Sequence, residues 1–195
     1  MPRKPKAAPP AATALPDVFR LKVVLADVRP QVWRRVETPD CDLFTLHAII
    51  QEAMPWGNSH LACFHVGRDE RYTLDPMDEF DDKPMEAMTL GELAARGVKK
   101  FGYEYDFGDS WIHTVTFQKG VARDPEAKYP RCVDGERACP PDDCGGPFGY
   151  PELLAALADK KHPEHKHMKE WMGGPFDPEA FDLAAANARL RRLKL

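Results

Sequence analysis

The sequence predicts an α+β fold: an antiparallel or mixed β-sheet with interleaved helices and a helical C-terminal third. Three features predict it. Apolar residues alternate with polar ones around Phe19–Leu25 and again through residues 101–117, short amphipathic stripes interrupt those runs, and helix-period segments dominate after residue 149. The chain has 195 residues, 43% hydrophobic and 30% charged, enough for one buried core and unlike a disordered or collagen-like chain.

Residues 1–16 carry four prolines ahead of Pro16, the cations Arg3, Lys4 and Lys6, and no acid, which predicts a disordered N-terminal arm. Residues 17–195 then form a single domain. Phe19, Leu21, Val23 and Leu25 alternate with Arg20 and Lys22, the pattern of a half-buried strand. Val32–Val36 reads as a second strand, ended by Pro39. Asp42 can cap a helix whose Leu43, Leu46, Ile50 and Ala53 fall on one stripe, broken at Gly57-Asn58. Leu61–Val66 and Arg71–Leu74 read as strands around a turn, residues 75–87 as an acidic surface loop, and Thr89–Ala95 as a short helix closed by Gly97. A β-hairpin with an aromatic face follows. Phe101, Tyr103, Tyr105 and Phe107 lead into Gly108-Asp109-Ser110, and Trp111, His113, Val115 and Phe117 lead out. Residues 119–149 are rich in proline and glycine and read as irregular. Helices are expected over Tyr150–Ala158, Pro163–Met172 and Pro178–Leu193, the last with Asp177 as N-cap, Pro178 at N1 and Phe176 against Phe181.

No apolar run approaches the length of a membrane span, and the N-terminus lacks a secretory h-region, so a cytoplasmic protein without a membrane partner is expected. The formal charge of −4 lacks the basic excess of a duplex-binding surface, which makes nucleic acid a disfavoured partner. The basic N-terminal arm, which reads better as a short solubilising tail, Arg34, Arg35 and the basic C-terminal helix are the candidates for such a role.

Five cysteines in a reducing compartment point to metal, catalysis or packing. Cys41 and Cys63 sit among apolar residues and read as small core side chains. Cys132, Cys139 and Cys144 fall within thirteen residues of a Pro/Gly-rich stretch. Three thiolates with His113 or His165 as fourth ligand would make a closed, structural Zn²⁺ site, the loop folding over the aromatic hairpin. The leading expectation is therefore a non-enzymatic protein carrying that zinc. The competing expectation is a metal-assisted hydrolase or nuclease using Asp106, Asp109 and His113 with Asp142 or Asp143. Plainer readings stand beside both. Alternation turns His113 toward apolar neighbours, where it serves as a core histidine, and turns favour Asp at positions 106 and 109 for local backbone bonding. The His162/His165/His167 group can chelate at helical spacing or simply be solvated among its lysines. Ser59 and Ser110 are the only serines, no nucleophile elbow surrounds them, and no phosphate-binding glycine loop is present.

The motifs Pro30–Arg35, Leu46-His47 with Ile50-Gln51, Trp56–Leu61, Tyr105–His113, Tyr129–Cys132, Pro140–Gly146 with Gly149-Tyr150, Trp171–Gly174 and Phe176–Pro178 resemble the plasmid pRiA4b ORF-3-like family. The resemblance runs from about Val18 to Leu190. It implies a kinship with proteins often labelled as passenger "TnpR" proteins of insertion elements, a third reading as a DNA-associated accessory protein, and it brings no particular reaction. A recombinase mechanism does not fit: Arg34-Arg35 has no serine near it in sequence, and the net charge opposes DNA.

Overall fold

A computed structural model describes residues 15–77 and 81–194; most of the predicted arm, with Arg3, Lys4 and Lys6, lies outside the described residues. Eight strands form one sheet in the order β5-β4-β3-β6-β7-β1-β2-β8, and five helices pack around it. The strands are β1 Phe19–Leu25, β2 Trp33–Thr38, β3 Ala62–Val66, β4 Glu70–Thr73, β5 Lys83–Pro84, β6 Lys100–Tyr105, β7 Trp111–Phe117 and β8 Arg131–Glu136. The helices are α1 Leu43–Ala53, α2 Leu90–Ala95, α3 Gly146–Ala158, α4 His165–Met172 and α5 Leu183–Leu190. All neighbours pair antiparallel except β4 with β5.

Period-two alternation does what it predicts within the strands, but Phe107, expected on the aromatic face, lies past the end of β6 in the turn and is exposed. In the β6–β7 hairpin Tyr105 pairs with Trp111, Tyr103 with His113 and Phe101 with Val115, and all six side chains are buried on one face. β1 continues that face, setting Leu25 against His113 and Val23 against Val115. Helix α1 covers it: Asp42 accepts the Thr45 amide at its N-terminus, and Leu43, Leu46, Ile50 and Ala53 are all buried. The opposite face is polar. There Lys22 and Arg35 flank the Trp33 ring, and the fully buried carboxylate of Glu37 accepts from Arg20 at 2.6 and 2.8 Å and from Arg131 at 2.7 Å.

Three sequence expectations change. β8 lies inside the stretch read as irregular; Arg131–Glu136 lacks apolar alternation, so its pairing with β2 is invisible from periodicity. The acidic stretch contains β5 and the buried Met85, while residues 78–80 lie outside the described residues. The last helix starts at Asp182, which accepts the Ala185 amide, and not at Asp177. Residues 177–181 are drawn to the sheet instead: the Ala138 amide bonds the Pro178 carbonyl, and Phe181 lies 4.2 Å from the Arg34 guanidinium over Gly135, where a Cβ would meet the ring at 2.8 Å. Helices α3, α4 and α5 are therefore separated by irregular stretches rather than forming a wholly helical C-terminal third. Among the described residues, no helix is long and apolar enough to cross a membrane.

Candidate metal centre

Three loops meet at the end of the hairpin: residues 54–61 after α1, the turn 106–110, and residues 139–146 before α3. Each is fastened by its own chemistry. The first is clamped from α1, where His47 and Gln51 share a helix face. Tyr103 Oη donates to His47 Nδ1 at 2.8 Å and accepts from Gln51 Nε2 at 2.9 Å. His47 Nε2 donates to Asn58 Oδ1 at 2.7 Å, and the Asn58 amide donates to Gln51 Oε1 at 3.1 Å. Every member of that buried network is satisfied, and burial holds His47 in its neutral form by lowering its pKa. The Ser59 amide then donates to Tyr105 Oη at 3.2 Å, which delivers His60 against the Tyr105 ring.

The hairpin turn supplies Asp106. Its backbone is left-handed at φ 56°, and its Oδ1 accepts the Gly108 amide at 2.9 Å, the local bonding that makes Asp tolerable there. Its Oδ2 is left facing His60. Asp109 spends its carboxylate on the third loop, accepting the Gly145 amide at 3.2 Å.

That third loop is held over the hairpin without sulfur. Trp56 Nε1 donates to the Pro140 carbonyl at 3.0 Å, Asp142 Oδ2 accepts the Gly57 amide at 2.9 Å, and Gly146 presses so closely on the Asp109 carbonyl that a Cβ has no room. Asp143, left-handed at φ 59°, hangs its side chain beside His60.

The result is a one-histidine, two-carboxylate cluster. His60 Nε2 lies 3.3 Å from Asp143 Oδ1 and 3.7 Å from Asp106 Oδ2, and all three ligand atoms fall within 4.8 Å of one another. Among the described residues it is the one set of three or more histidine, cysteine or acidic side chains so gathered. His60 Nε2 is shut off from solvent yet has no hydrogen-bond partner, and Asp142 Oδ1 is in the same state.

The residues named from sequence divide sharply. His113 is fully buried between Trp56 and Tyr103, with ring centroids 5.1 and 5.3 Å away, and donates from Nδ1 to the Tyr103 carbonyl at 3.2 Å. Burial pulls its pKa down to about 4, against the raising effect of its backbone hydrogen bonds. It is a core residue: the histidine that stands beside Asp106 and Asp143 is His60, and Asp109 serves as a clasp. The four zinc ligands Cys132, Cys139, Cys144 and His113 are not brought together as a ligand set. Cys132 sits on β8 and donates to the Asp134 carbonyl at 3.3 Å; Cys139 is buried. Burial pushes both of those thiols up, and that of Cys144 to about 12. His165, the alternative fourth ligand, donates from Nδ1 to the Ala156 carbonyl at 2.8 Å, linking α4 to α3. Arg34 is buried and donates to the carbonyls of Ala53 and Glu136, so it offers no phosphate contact. His60 lies in no chemical motif of its own in the sequence; its signal is membership of the Trp56–Leu61 motif.

Comparison with known proteins fits the same frame. The family model described as plasmid pRiA4b ORF-3-like protein matches residues 17–185. The chain belongs to this family. It is 41% identical over 174 residues to the uncharacterized protein y4hQ of Sinorhizobium fredii, covering 87% of this chain and 86% of that one. The crystal structure of MM3350 from Methanosarcina mazei, a protein of unknown function, superposes with a TM-score of 0.78 at 34% identity, covering 86% of this chain and 96% of that one. Three of the segments that carry the family resemblance, Trp56–Leu61, Tyr105–His113 and Pro140–Gly146, supply the whole cluster.

Proposed function

We propose that the protein is a divalent-cation-dependent hydrolase whose ion is held by His60, Asp106 and Asp143. The observation that carries this reading is His60 Nε2, shut off from solvent and set 3.3 and 3.7 Å from carboxylate oxygens of Asp143 and Asp106. A tetrahedral ion with bonds of about 2.0–2.1 Å spaces its ligand atoms roughly 3.4 Å apart, so little movement is needed to seat one. One imidazole with two carboxylates suits Zn²⁺ or Mn²⁺. Three protein ligands leave a coordination position for substrate or water, the mark of a catalytic rather than a structural site. The ion supplies Lewis acidity; the chain supplies the rest. Asp106 and Asp143 both sit in the left-handed region, which Asp reaches more readily than most residues. Asp142, next to Asp143 in sequence and with Oδ1 unbonded, is the residue we assign as proton acceptor. The concentration of carboxylates favours neutral or cationic substrates over nucleic acid, whose phosphates they repel.

Calorimetric titration of chelator-treated protein with Zn²⁺ and Mn²⁺ tests the reading. One ion should bind per chain. H60A and D106N should each weaken it at least tenfold, and the double variant C139S/C144S should leave it unchanged. Binding that survives H60A and disappears in C139S/C144S would restore the thiol site in its place.

A further inference from the structure

Asp143 has a second role. Besides its place in the cluster it lines a cavity of about 350 Å³ between α3 and α4, near the lower end of the range for small-molecule sites. The walls come from helix-spaced residues: Leu153 and Ala156 on α3 face Met168 and Trp171 on α4, an apolar lining fit for methylene groups. The two helices are fixed in that relation by the His165–Ala156 bond.

The charged groups of the cavity are predominantly carboxylates. Asp143, Glu152 and Glu164 contribute three carboxylates; among the described residues His162 and His167 are the only other titratable side chains besides Cys144, and no lysine or arginine lines the space. This absence is informative because the neighbourhood is rich in lysine. Lys160, Lys161, Lys166 and Lys169 all lie on these segments yet none lines the cavity, and Lys166 turns to Glu170 at 3.8 Å. The half-exposed Trp171 indole adds a ring face, the preferred partner of an organic cation.

We infer that this pocket holds the cationic aliphatic arm of the substrate: a primary amine or guanidinium on a short hydrocarbon chain. The hydrocarbon lies between Leu153, Ala156 and Met168, and the charge sits among the carboxylates and the indole. Because Asp143 belongs to both sites, the bond to be hydrolysed lies toward the cluster. That last step rests on the metal reading; the binding of the cation does not.

The test uses the full chain with n-hexylamine as probe and hexanoate and hexanol as controls, followed by calorimetry and tryptophan fluorescence, with chelator and with Zn²⁺. Hexylamine should bind with or without the ion, and hexanoate at least tenfold more weakly. E152Q/E164Q, at exposed positions, should weaken hexylamine about five- to tenfold, as expected for two solvent-screened charge contacts, and leave hexanol unchanged. W171F should abolish the fluorescence response. The inference is overturned if hexylamine fails to bind at millimolar concentration, if hexanoate binds as tightly, or if the double variant binds hexylamine as the parent does. Hexylamine binding alongside failed metal titration removes the hydrolase reading alone; metal binding without hexylamine binding removes the pocket alone.

Discussion

Replacing His47 separates a packing role from a positioning one. His47→Phe keeps the ring volume but strips both nitrogens, so the hydroxyl hydrogen of the fully buried Tyr103 loses its acceptor and Asn58 Oδ1 loses its donor. Asn58 is exposed and can turn to water, which leaves the Tyr103 hydroxyl as the main cost, about 1–3 kcal/mol. His47→Ala adds a cavity and should lose about 2 kcal/mol more. The functional effect is distinct. Asn58, left-handed at φ 53°, keeps only its amide bond to Gln51 two residues before His60, and re-ordering a residue so loosened costs up to about 1–2 kcal/mol. Ion affinity should therefore fall about tenfold in H47F. Urea denaturation at pH 7.5 reads the first effect, and calorimetric titration of the still-folded protein reads the second. Stability within 0.5 kcal/mol of the parent, together with unchanged ion affinity, would refute the idea that α1 positions the metal centre.

Other consequences follow from the same structure. His113 is fully buried with its pKa lowered to about 4 from an unfolded value of 6.5, so the unfolded chain binds the extra proton first as pH falls. Stability is then complete above pH 6.5 and declines toward pH 4 by roughly 3 kcal/mol; His113→Phe should flatten that part of a chemical-denaturation profile. Glu37 acts at lower pH. Burial raises its pKa, but the hydrogen bonds and charges of Arg131 and Arg20 outweigh this and leave it below 4.5. Its contribution is present above that value and lost below it, and Glu37→Ala should cost about 2–3 kcal/mol at neutral pH, less than a fully buried pair because both arginines are about one-third exposed. Gly146→Ala forces a Cβ into the Asp109 carbonyl at φ 68° and should lower both the melting temperature and ion affinity; retention of both refutes the close docking of the 139–146 loop. Asp142→Asn should keep the ion and lose turnover of p-nitrophenyl ester probes, and parallel loss of ion would place Asp142 among the ligands instead.

What was legible in the sequence had a period. The aromatic hairpin, β1, α1 with its Asp42 cap, and α2 with the Thr89–Glu92 capping box all announce themselves through spacing and end residues. β8 does not, because an edge strand with a glycine opposite a phenylalanine ring need not alternate. The Asp177 signal was real but local: its carboxylate accepts the Glu179 amide and supports a single turn, while Phe181 and the Ala138–Pro178 bond keep the chain on the sheet. The centre was half legible. Asp106 and Asp143 stood out as candidate ligands, but their histidine partner comes from a loop forty-six residues before Asp106, a pairing that only β3 lying beside β6 brings about. His113 misled for the opposite reason, since strand alternation aims it into the core.

The position of β7 has a bearing on how the molecule comes into being. It is the joint between two groups of strands, β5-β4-β3-β6 on one side and β1-β2-β8 on the other. A nascent polypeptide that has left the ribosome only as far as Tyr105 holds both groups in part but has nothing to unite them, and β1, the first strand made, waits with an open edge for a neighbour synthesised some ninety residues later. Such distant pairing slows closure and prolongs the exposure of sticky edges. A pause in translation before Trp111 would therefore lengthen the time that β1 spends with an unpaired edge.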